Sequence, residues 1–455
     1  MQADLEKFKM ALINIHPGTY THQKPEEFER FVDKLLSEVS KPMAATKFYT
    51  IVLKLIAGIH DGHTQAYAFG ELGKLIYHQK RLPFQVSIHS ERIFIIKNLS
   101  TKELPEGSEI LSIDNKLSNE ILIEMRQHYT SDGKSFNGMY HWLGGPYRPF
   151  NRLYPEIFGE QPTYSLVYRD YKTKDIVTMK IDAIPKASYE KRDAVKYPPE
   201  KINEKAFNFT THEKEGYAYM QINRFVKEGF NEPENIYPDF YKQCFEKIAS
   251  QNIQNLIIDL RDNGGGKASN AAYLMQYFIQ KPFIPAKEIT TLGDDSYFLE
   301  LTGDTLSLDE AFDLVSTNQK TFKVTKTEVL RDLMTYTPIT EHAYSGKLIV
   351  LINGGTTSAG AIAAGLLKEY TNAVLVGEET FGYAGISNGI RHISIRGDST
   401  EVAIHLPLLH TEYNINPEVK RRSVVPDFQL SNSMQNILSN KDYILEYTIE
   451  ELLRQ

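Results

Sequence analysis

Cysteine and long apolar runs are both scarce in this sequence. Cys244 is the single cysteine among 455 residues. One thiol excludes a disulfide within the chain and a zinc cluster built from cysteines, so the predicted domains must depend on apolar cores. The longest apolar stretches, such as 348–352, are far shorter than the roughly 20 residues that a membrane-crossing helix needs. We therefore expect no membrane-spanning segment.

A surplus of positive charge is also missing. The chain has 51 Lys and Arg against 58 Asp and Glu, which gives a formal net charge of −7. Nucleic-acid phosphates are bound by clustered cations, and no basic block occurs, so we expect no nucleic-acid partner. Hydrophobic residues make up 41% of the chain and charged residues 24%. Both fractions are near the average of globular proteins and predict folded domains.

The pattern of apolar residues changes several times along the chain. Helical spacing over 28–39 and 48–59 predicts an N-terminal helical domain over 1–80. Short runs rich in β-branched and aromatic residues predict a β-rich module over 82–184. Its aromatic-rich insertion, residues 128–165, is interpreted as a long loop held by contacts among its own rings, and a platform that binds a ligand or covers the substrate path is the alternative.

The second half of the chain has a different organisation. Prolines and lysines over 185–204 predict a linker. Strand patterns then alternate with helical patterns over 205–432, which predicts an α/β core with crossover connections. Apolar residues at helical spacing predict a C-terminal helix over 433–455.

Ser358 is the first candidate for chemistry. It follows a buried strand and a turn of small residues, and it begins an alanine-rich helix. The free N–H groups and the dipole of a helix N-terminus stabilise developing negative charge, so Ser358 is a candidate nucleophile. Serine also caps helices often, and the local sequence favours that structural role. Residues 357–360 do not form the Gly-x-Ser-x-Gly motif of the α/β-hydrolases.

A turn of three glycines, Gly264–Gly266, directly follows another buried strand. Glycines allow backbone N–H groups to converge on an oxyanion or a phosphate. A phosphate-binding loop needs glycine at position 261 and Ser or Thr at position 268, but Arg261 and Ala268 occupy them. An oxyanion hole and a plain structural turn are the two interpretations that stay open.

Two histidines, His60 and His63, lie on a glycine-containing turn at the end of the second predicted helix. Histidines at i and i+3 could bind a metal, but no His-Glu-x-x-His helix accompanies them. A general base is the better functional interpretation. A structural histidine is the alternative, and a partner elsewhere in the chain is needed to favour catalysis.

Four motifs resemble, in their order and spacing, the tail-specific or C-terminal processing serine protease family. They are Asn-Leu-Ile-Ile-Asp-Leu-Arg-Asp-Asn-Gly-Gly-Gly (255–266), Gly-Gly-Thr-Thr-Ser-Ala-Gly (354–360), Val-Gly-Glu-Glu-Thr-Phe-Gly (376–382) and Val-Val-Pro-Asp (424–427). The resemblance covers about residues 205–432. It implies a crotonase-like (ClpP/crotonase) α/β core, a serine-type peptidase and no cofactor or metal.

The resemblance also assigns roles to individual residues. It implies that Ser358 is the nucleophile and that the backbone N–H groups of Gly264, Gly265, Gly266 and Ala359 form the oxyanion hole. Upstream, residues 107–115 are similar to a strand of a PDZ-like module, which in this family binds substrate C-termini. Substrate-binding residues are then expected at Gly107 and Ile110.

The base differs from that of the processing proteases. They use a lysine in a Thr-x-Gly-Lys segment, and Tyr383 stands at that position here. A second branch, typified by the tricorn protease, uses a histidine located before the PDZ-like module, which implies His63 as the base. Tricorn-like enzymes have a serine where this chain has Gly62. For the acid the resemblance favours Glu418, with Glu379 as a competitor.

These observations predict a serine endopeptidase that cleaves extended or unfolded polypeptides. The alternative is a non-catalytic protein that binds peptides or other ligands on the same fold, because fold alone does not guarantee chemistry. A third possibility is an enzyme acting on an acyl thioester, for which the sequence offers no basic nucleotide-binding cluster. The resemblance implies a periplasmic or secreted setting, although residues 1–7 have no signal-peptide pattern.

Overall fold

The structure is a computed structural model, and it describes residues 1–133, 135–145, 149–198, 205–226, 233, 235–292, 314–316, 321–325, 330–416 and 421–454. The chain divides into two compact units. The first unit comprises Met1–Ile202, His392–Leu406 and Asn432–Asp442. The second unit comprises Asn203–Arg391, Pro407–Ser431 and Tyr443–Gln455.

The continuous part of the first unit contains eight α-helices and seven strands among its described residues. In chain order they are α1 (Gln2–Asn14), α2 (Pro25–Glu38), α3 (Ala45–Ala57), β1 (Gln65–Ala68), α4 (Gly70–His78), β2 (Phe84–His89), β3 (Arg92–Asn98), β4 (Glu109–Ile113), β5 (Lys116–Leu117), α5 (Ser118–Arg126), α6 (Asn137–Gly144), α7 (Phe150–Phe158), β6 (Thr163–Arg169), β7 (Ile176–Asp182) and α8 (Lys186–Lys196).

The predicted N-terminal helices are present. Proline fits the first position of α2, since its missing N–H has no partner there. The side chain of Glu27 accepts the backbone N–H of Lys24 at 3.1 Å, which satisfies one of the orphan donors at the helix start. Phe28, Val32 and Leu35 form the buried face of α2. In α3 the buried residues include Phe48 and Val52.

The β-rich module is an antiparallel sheet with strand order β2-β3-β4-β6-β7, and β5 pairs with β4. Strand β4 lies inside the sheet, because Ile110 pairs with Ile93 on β3 and with Tyr168 on β6. The side chain of Ile110 is buried, and a Cβ on Gly107 would lie 2.7 Å from the ring of Tyr171. A peptide strand can add only at an edge, so the expected binding residues Gly107 and Ile110 do not lie where a peptide backbone could pair.

The aromatic-rich insertion is helical rather than a loop. Residues 150–158 form α7, with Pro149 at its N-cap. The ring of Tyr154 packs against Phe158 and Tyr164, with centroid separations of 4.7 Å and 5.7 Å. The rings therefore pack on one another as expected, and their contacts fold the segment into helices.

The predicted linker also contains a helix. Residues 186–196 form α8, which follows Pro185 at its N-cap. Tyr189 of this helix is buried against Leu99 and Ile184. The polar composition of 185–204 suggested a linker, but Tyr189, with Tyr197 beside it, packs the helix against other residues of the first unit.

The remaining helices and strands start in the second unit. In chain order they are β8 (Phe207–His212), β9 (Tyr217–Ile222), α9 (Ile236–Ser250), β10 (Asn255–Asp259), α10 (Ala268–Met275), β11 (Ala286–Leu292), β12 (Leu314–Ser316), β13 (Thr321–Val324), a 3₁₀ turn (Arg331–Leu333), β14 (Lys347–Ile352), α11 (Ala359–Tyr370), β15 (Val374–Gly377), β16 (Ile386–Arg396), β17 (Val402–Tyr413), β18 (Phe428–Gln429), α12 (Met434–Leu438), α13 (Tyr443–Tyr447) and a π-helical turn (Thr448–Leu452).

The main sheet of the second unit has strand order β18-β15-β14-β10-β9-β8. The pairs from β9 to β18 are parallel, and β8 is antiparallel to β9. Buried residues of α9, α10 and α11 pack on one face of this sheet, and Ile444 and Leu452 pack on the other. The predicted α/β core is confirmed. The loops after β10 and β14 leave the carboxyl ends of adjacent parallel strands, where α/β sheets place their sites.

Two boundaries differ from the predicted ones. Residues 392–406, assigned by sequence to the core, belong to the first unit because Val402–His405 of β17 pair with β1. The predicted C-terminal helix over 433–455 is instead α12, α13 and the π-helical turn, divided between the units. Among the described residues, no helix combines the length and the apolar character needed to cross a membrane.

Candidate active site

Ser358 lies between β14 and α11 in the second unit. Its backbone φ is 51° and its ψ is −128°, whereas a helix-capping residue usually has an extended backbone. The Ser358 side chain makes no capping hydrogen bond with α11. The structure therefore does not support the capping interpretation. A non-glycine residue with positive φ is uncommon, and such strain is concentrated at functional sites.

The glycine turn lies directly against Ser358. Gly265 has a φ of 98°, and a Cβ added there would lie 2.6 Å from the Cβ of Ser358 and 3.1 Å from the backbone nitrogen of Ala359. Gly266 has a φ of 133°, and its added Cβ would lie 2.7 Å from the carbonyl carbon of Phe225. Only glycine fits both positions, so the turn is shaped to approach the serine closely.

Four backbone N–H groups were expected to form the oxyanion hole. The N–H of Gly265 donates to Oδ1 of Asn263 at 2.9 Å. Within the described part of the chain, no hydrogen bond to another residue uses the N–H of Gly264, Gly266 or Ala359. These three groups are the donors available to a ligand oxygen.

Asn263 holds the glycine turn and the serine loop together, and sequence reasoning did not identify it. It is fully buried. Its Nδ2 donates to the carbonyl of Ile222 at 2.8 Å, and its own carbonyl accepts the N–H of Thr357 at 2.9 Å. A Cβ on Gly360 would lie 2.7 Å from that carbonyl. The only sequence feature that could have pointed to Asn263 is its position directly before the three glycines.

A second set of hydrogen bonds joins the two loops from the side of β14. The hydroxyl of Thr356 donates to the carbonyl of Leu260 at 2.7 Å and accepts the N–H of Asn353 at 3.1 Å. Oδ1 of Asn353 accepts the N–H of Asp262 at 2.9 Å. Both side chains are buried. The position of Ser358 relative to the glycine turn is therefore set by side-chain bonds between adjacent strand ends.

The segment 380–383 packs beneath Ser358. A Cβ on Gly382 would lie 2.8 Å from the backbone nitrogen of Ser358. The buried hydroxyl of Thr380 donates to the carbonyl of Gly382 at 2.8 Å and accepts the N–H of Val424 at 2.9 Å. Tyr383, which replaces the expected lysine, is the next residue and is buried. The chain therefore carries no lysine at this contact.

In the first unit, Asp61 is the centre of a buried hydrogen-bond network. Its Oδ2 lies 2.7 Å from Nε2 of His16 and accepts the hydroxyl of Thr64 at 2.6 Å. Nδ1 of His16 accepts the N–H of Gly18 at 2.9 Å, so the Nε2–H is the donor that faces Asp61 at 2.7 Å and the hydroxyl oxygen of Thr64 at 2.6 Å. Burial alone raises the pKa of Asp61, but hydrogen bonds from His16 and His63 outweigh it and hold this pKa well below its usual range.

His63 faces two carboxylates. Oδ1 of Asp61 accepts the backbone N–H of His63 at 3.1 Å and lies 3.8 Å from its Nδ1. Asp132 is held nearby by the N–H of Gly62, at 2.7 Å. Burial lowers the pKa of His63, but the nearby carboxylates of Asp61 and Asp132 outweigh it and raise this pKa overall. Sequence reasoning named His63 as a candidate and did not single out His16, Asp61 or Asp132.

Two more histidines extend from His63 within the first unit. The ring of His392 lies 6.4 Å from that of His63, and His405 stacks on His392 at 4.8 Å. Burial, followed by the charges of His405 and His63, lowers the pKa of His392 to about 4. His392 is therefore an uncharged ring at neutral pH.

Asp61, His63 and Asp132 are also the described residues that could hold a metal ion, since their ligand atoms lie within 4.8 Å of one another. The carboxylate oxygens are already engaged, because Oδ2 of Asp61 accepts a hydroxyl and an imidazole N–H, and Oδ1 of Asp132 accepts a backbone N–H. We assign no metal ligand here. His60, the other histidine of the turn, lies outside this group and has a φ of 59°.

Of the two candidate acids, the structure describes only Glu379. Glu418 lies outside the described residues. Glu379 is half-buried in the second unit, immediately before Thr380.

Comparison with known proteins covers the part of the chain that contains Ser358. Residues 216–429 match Peptidase family S41. We call residues 216–429 the S41 segment. It includes the glycine turn, Ser358 and Tyr383, whereas His63 and Asp61 lie outside the matched residues. The S41 segment thus covers most of the second unit together with the strand residues 392–406.

Named relatives resemble this S41 segment. The chloroplastic C-terminal processing peptidase of Tetradesmus obliquus is 24% identical over 190 residues, which is 42% of this chain and 31% of that protein. The carboxy-terminal-processing protease of Bartonella bacilliformis is 25% identical over 169 residues, or 37% of this chain and 30% of that protein. The match therefore spans less than a third of either relative.

The whole chain has a counterpart in fold. The crystal structure of mature CPAF aligns with a TM-score of 0.63 at 14% identity and covers 100% of this chain and 97% of that one. At this identity the likeness concerns the fold alone. It extends the structural resemblance beyond the S41 segment to the N-terminal helices and the β-rich module.

Proposed function

We propose that this protein is a serine endopeptidase that hydrolyses peptide bonds of extended or unfolded polypeptides. Ser358 is the nucleophile, and His63 is its general base. The proposed function uses no cofactor or metal ion. The S41 segment and its processing-peptidase relatives support the reaction class.

One observation carries the proposal. Ser358 stands at a helix N-terminus with a strained backbone and makes no capping bond, while a glycine turn with two positive φ angles lies against it. A helix-capping serine needs neither the strain nor the glycine contact. A nucleophile needs both, since its oxygen must be exposed and the amides must lie near the carbonyl that it attacks.

The chemistry follows from the groups present. His63 takes the proton of the Ser358 hydroxyl as the oxygen bonds to the peptide carbonyl carbon, and it returns that proton to the departing amine nitrogen. Water then repeats the sequence to release the acyl group. The N–H groups of Gly264, Gly266 and Ala359 hold the oxyanion, and losing one such donor typically costs about 10²–10³ in turnover.

Two further points concern the location of the protein and the alternative to catalysis. We propose an extracytoplasmic location, periplasmic or secreted, as the resemblance implies. The buried Tyr383 in place of the lysine favours the alternative of a non-catalytic protein that binds polypeptides on this fold. The two functions differ in one property, the reactivity of the Ser358 oxygen.

Intact-mass analysis after treatment with a fluorophosphonate measures that reactivity. We expect one adduct on the wild-type chain and none on Ser358→Ala, and a large loss of labelling rate in His63→Ala. Ser433→Ala is the matched control, since Ser433 begins α12 and its hydroxyl accepts the N–H of Asn436 at 3.2 Å. A helix-capping serine should not react with the fluorophosphonate. Ser433→Ala should therefore take the same single adduct as the wild-type chain.

The outcomes separate the two functions. A single adduct that disappears in Ser358→Ala and slows in His63→Ala supports a histidine-activated serine. A folded wild-type chain that takes no adduct contradicts the peptidase and leaves the polypeptide binder. Unchanged labelling of folded His63→Ala would keep Ser358 but remove His63 from its role.

A further inference from the structure

We propose that Asp61 is the positioning carboxylate of His63, and that His16 and Thr64 hold it in place for that role. This inference rests on the proposed function. It places the partner of the base two residues away on the same turn, whereas the resemblance implied a glutamate far along the chain. The contacts of the first unit carry it.

The first step is the anchoring of one carboxylate oxygen. Oδ2 of Asp61 accepts the Nε2–H of His16 at 2.7 Å and the hydroxyl of Thr64 at 2.6 Å. The N–H of Gly18 fixes the tautomer of His16 by donating to Nδ1 at 2.9 Å. His16 and Thr64 are fully buried and Asp61 nearly so. A carboxylate with this many donors is ionised and cannot rotate freely.

The second step is the direction of the other oxygen. Oδ1 of Asp61 accepts the backbone N–H of His63 at 3.1 Å and lies 3.8 Å from Nδ1 of the same residue. Because Oδ2 is held by other groups, Oδ1 is the oxygen that meets the imidazole. The 3.8 Å separation is longer than a hydrogen bond, so Oδ1 acts on Nδ1 through its charge. A negative charge on that side of the ring favours a proton on Nδ1 and leaves Nε2 to accept a proton, which a general base requires.

The neighbouring groups Asp132 and His392 either favour the protonated form of His63 or carry no charge. Asp132, held by Gly62, adds a second negative charge. His392, the neighbouring ring, is uncharged at neutral pH because its pKa lies at about 4. Two carboxylates therefore stabilise the protonated form of His63 that arises when it takes the nucleophile's proton.

The buried His16 has no other evident use in this reaction. It lies 45 residues before Asp61 at the end of the first helical segment. Nε2 of His16 lies 2.7 Å from Oδ2 of Asp61 and 2.6 Å from the hydroxyl oxygen of Thr64, which itself donates to that Oδ2. Both contacts support the carboxylate, as outer partners do for catalytic and metal-binding groups. Asp61 and His16 are positioning residues in this proposal, since they act through His63.

The test measures the second-order rate constant of fluorophosphonate labelling from pH 5 to 9 in the full-length chain. Asp61→Asn should lower the plateau rate by 10²-fold or more, as losing the carboxylate of a triad does. It should also move the acidic limb of the profile to lower pH by about one unit, because a stabilising charge on the imidazolium is lost. Asp61→Glu should restore part of the rate.

Two other variants keep the test decisive. His16→Gln retains the charge of Asp61 but loosens its anchor, and we expect a loss of plateau rate with a smaller shift of the limb. It serves as the second measurement should Asp61→Asn not fold, as judged by circular dichroism. Asp398→Asn is the matched charge control, because Asp398 is an exposed aspartate of the same unit that pairs with Lys7 at 2.6 Å.

The result that overturns the inference is a folded Asp61→Asn with wild-type rate and an unmoved acidic limb. An equal effect of Asp398→Asn would also overturn it, since the shift would then be a general charge effect. If Glu418→Gln moves the limb while Asp61→Asn does not, the distant glutamate is the partner. Failure of the proposed function is a separate outcome, because the wild-type chain would then not label at all.

Discussion

Replacing Gly265 with alanine tests whether the glycine turn positions Ser358, the proposed nucleophile. The added Cβ would lie 2.6 Å from the Cβ of Ser358 and 3.1 Å from its Oγ. Non-bonded carbons prefer about 3.5–4.0 Å, so one of the two loops must move by about 1 Å. Asn263 ties both loops together, and the shift cannot be absorbed by one side chain alone.

The expected magnitude follows from that displacement. Moving reacting groups by about 1 Å costs roughly 10²-fold in rate. Alanine at a positive φ costs a further ~1–2 kcal/mol of stability, since the Cβ approaches the following carbonyl. Gly265→Ala should therefore label with fluorophosphonate about 100-fold more slowly and unfold at a lower urea concentration.

Gly216→Ala is the matched control for backbone strain. Gly216 lies in the same unit with a φ of 75°, and nothing lies within 4 Å of its added Cβ. It should lose about the same stability, ~1–2 kcal/mol, and keep its labelling rate. Wild-type labelling of Gly265→Ala would refute the reasoning, and so would an equally slow Gly216→Ala.

Two further predictions concern the second unit. Thr380→Val leaves the carbonyl of Gly382 and the N–H of Val424 without their buried partner, so the free energy of unfolding should fall by about 1–3 kcal/mol. An unchanged urea midpoint would contradict this. Burial raises the pKa of Asp332 from 3.8 to about 6, although the hydroxyl of Tyr413 donates to it. The native state then keeps a proton that the unfolded state releases, so this residue's contribution to stability falls as pH rises from about 4 to 7, by roughly 3 kcal/mol. Asp332→Asn should flatten that slope in urea unfolding at several pH values, and an identical slope in both proteins would show that the group is not responsible.

Apolar periodicity and turn residues predicted the helices and strands that depend mainly on interactions between residues close in sequence. The buried run 348–352 and the small residues after it predicted β14, the turn and α11 with Ser358 at its start. Helical spacing predicted α2 and α3, whose apolar faces are buried. These predictions succeeded because side-chain periodicity and turn chemistry act over a few residues.

Where sequence reasoning failed, a distant contact decided the structure. Composition suggested a linker over 185–204, but burial of Tyr189 stabilises α8 there. Strand residues 402–405 read as part of the core, and pairing with β1 places them in the first unit. Neither the aromatic anchor nor the strand partner is adjacent in sequence to the segment that it organises.

The candidate site shows the same division. The sequence by itself determined which residues could react, because Ser358, the glycine turn and His63 lie in short motifs with a chemical meaning. Only the tertiary structure decided what surrounds them. Asn263 joins two loops nearly a hundred residues apart, with Thr357 as its partner. His16 reaches Asp61 from the loop that follows α1. Buried polar groups take their partners from whichever segments the fold brings together, and no local pattern encodes that choice.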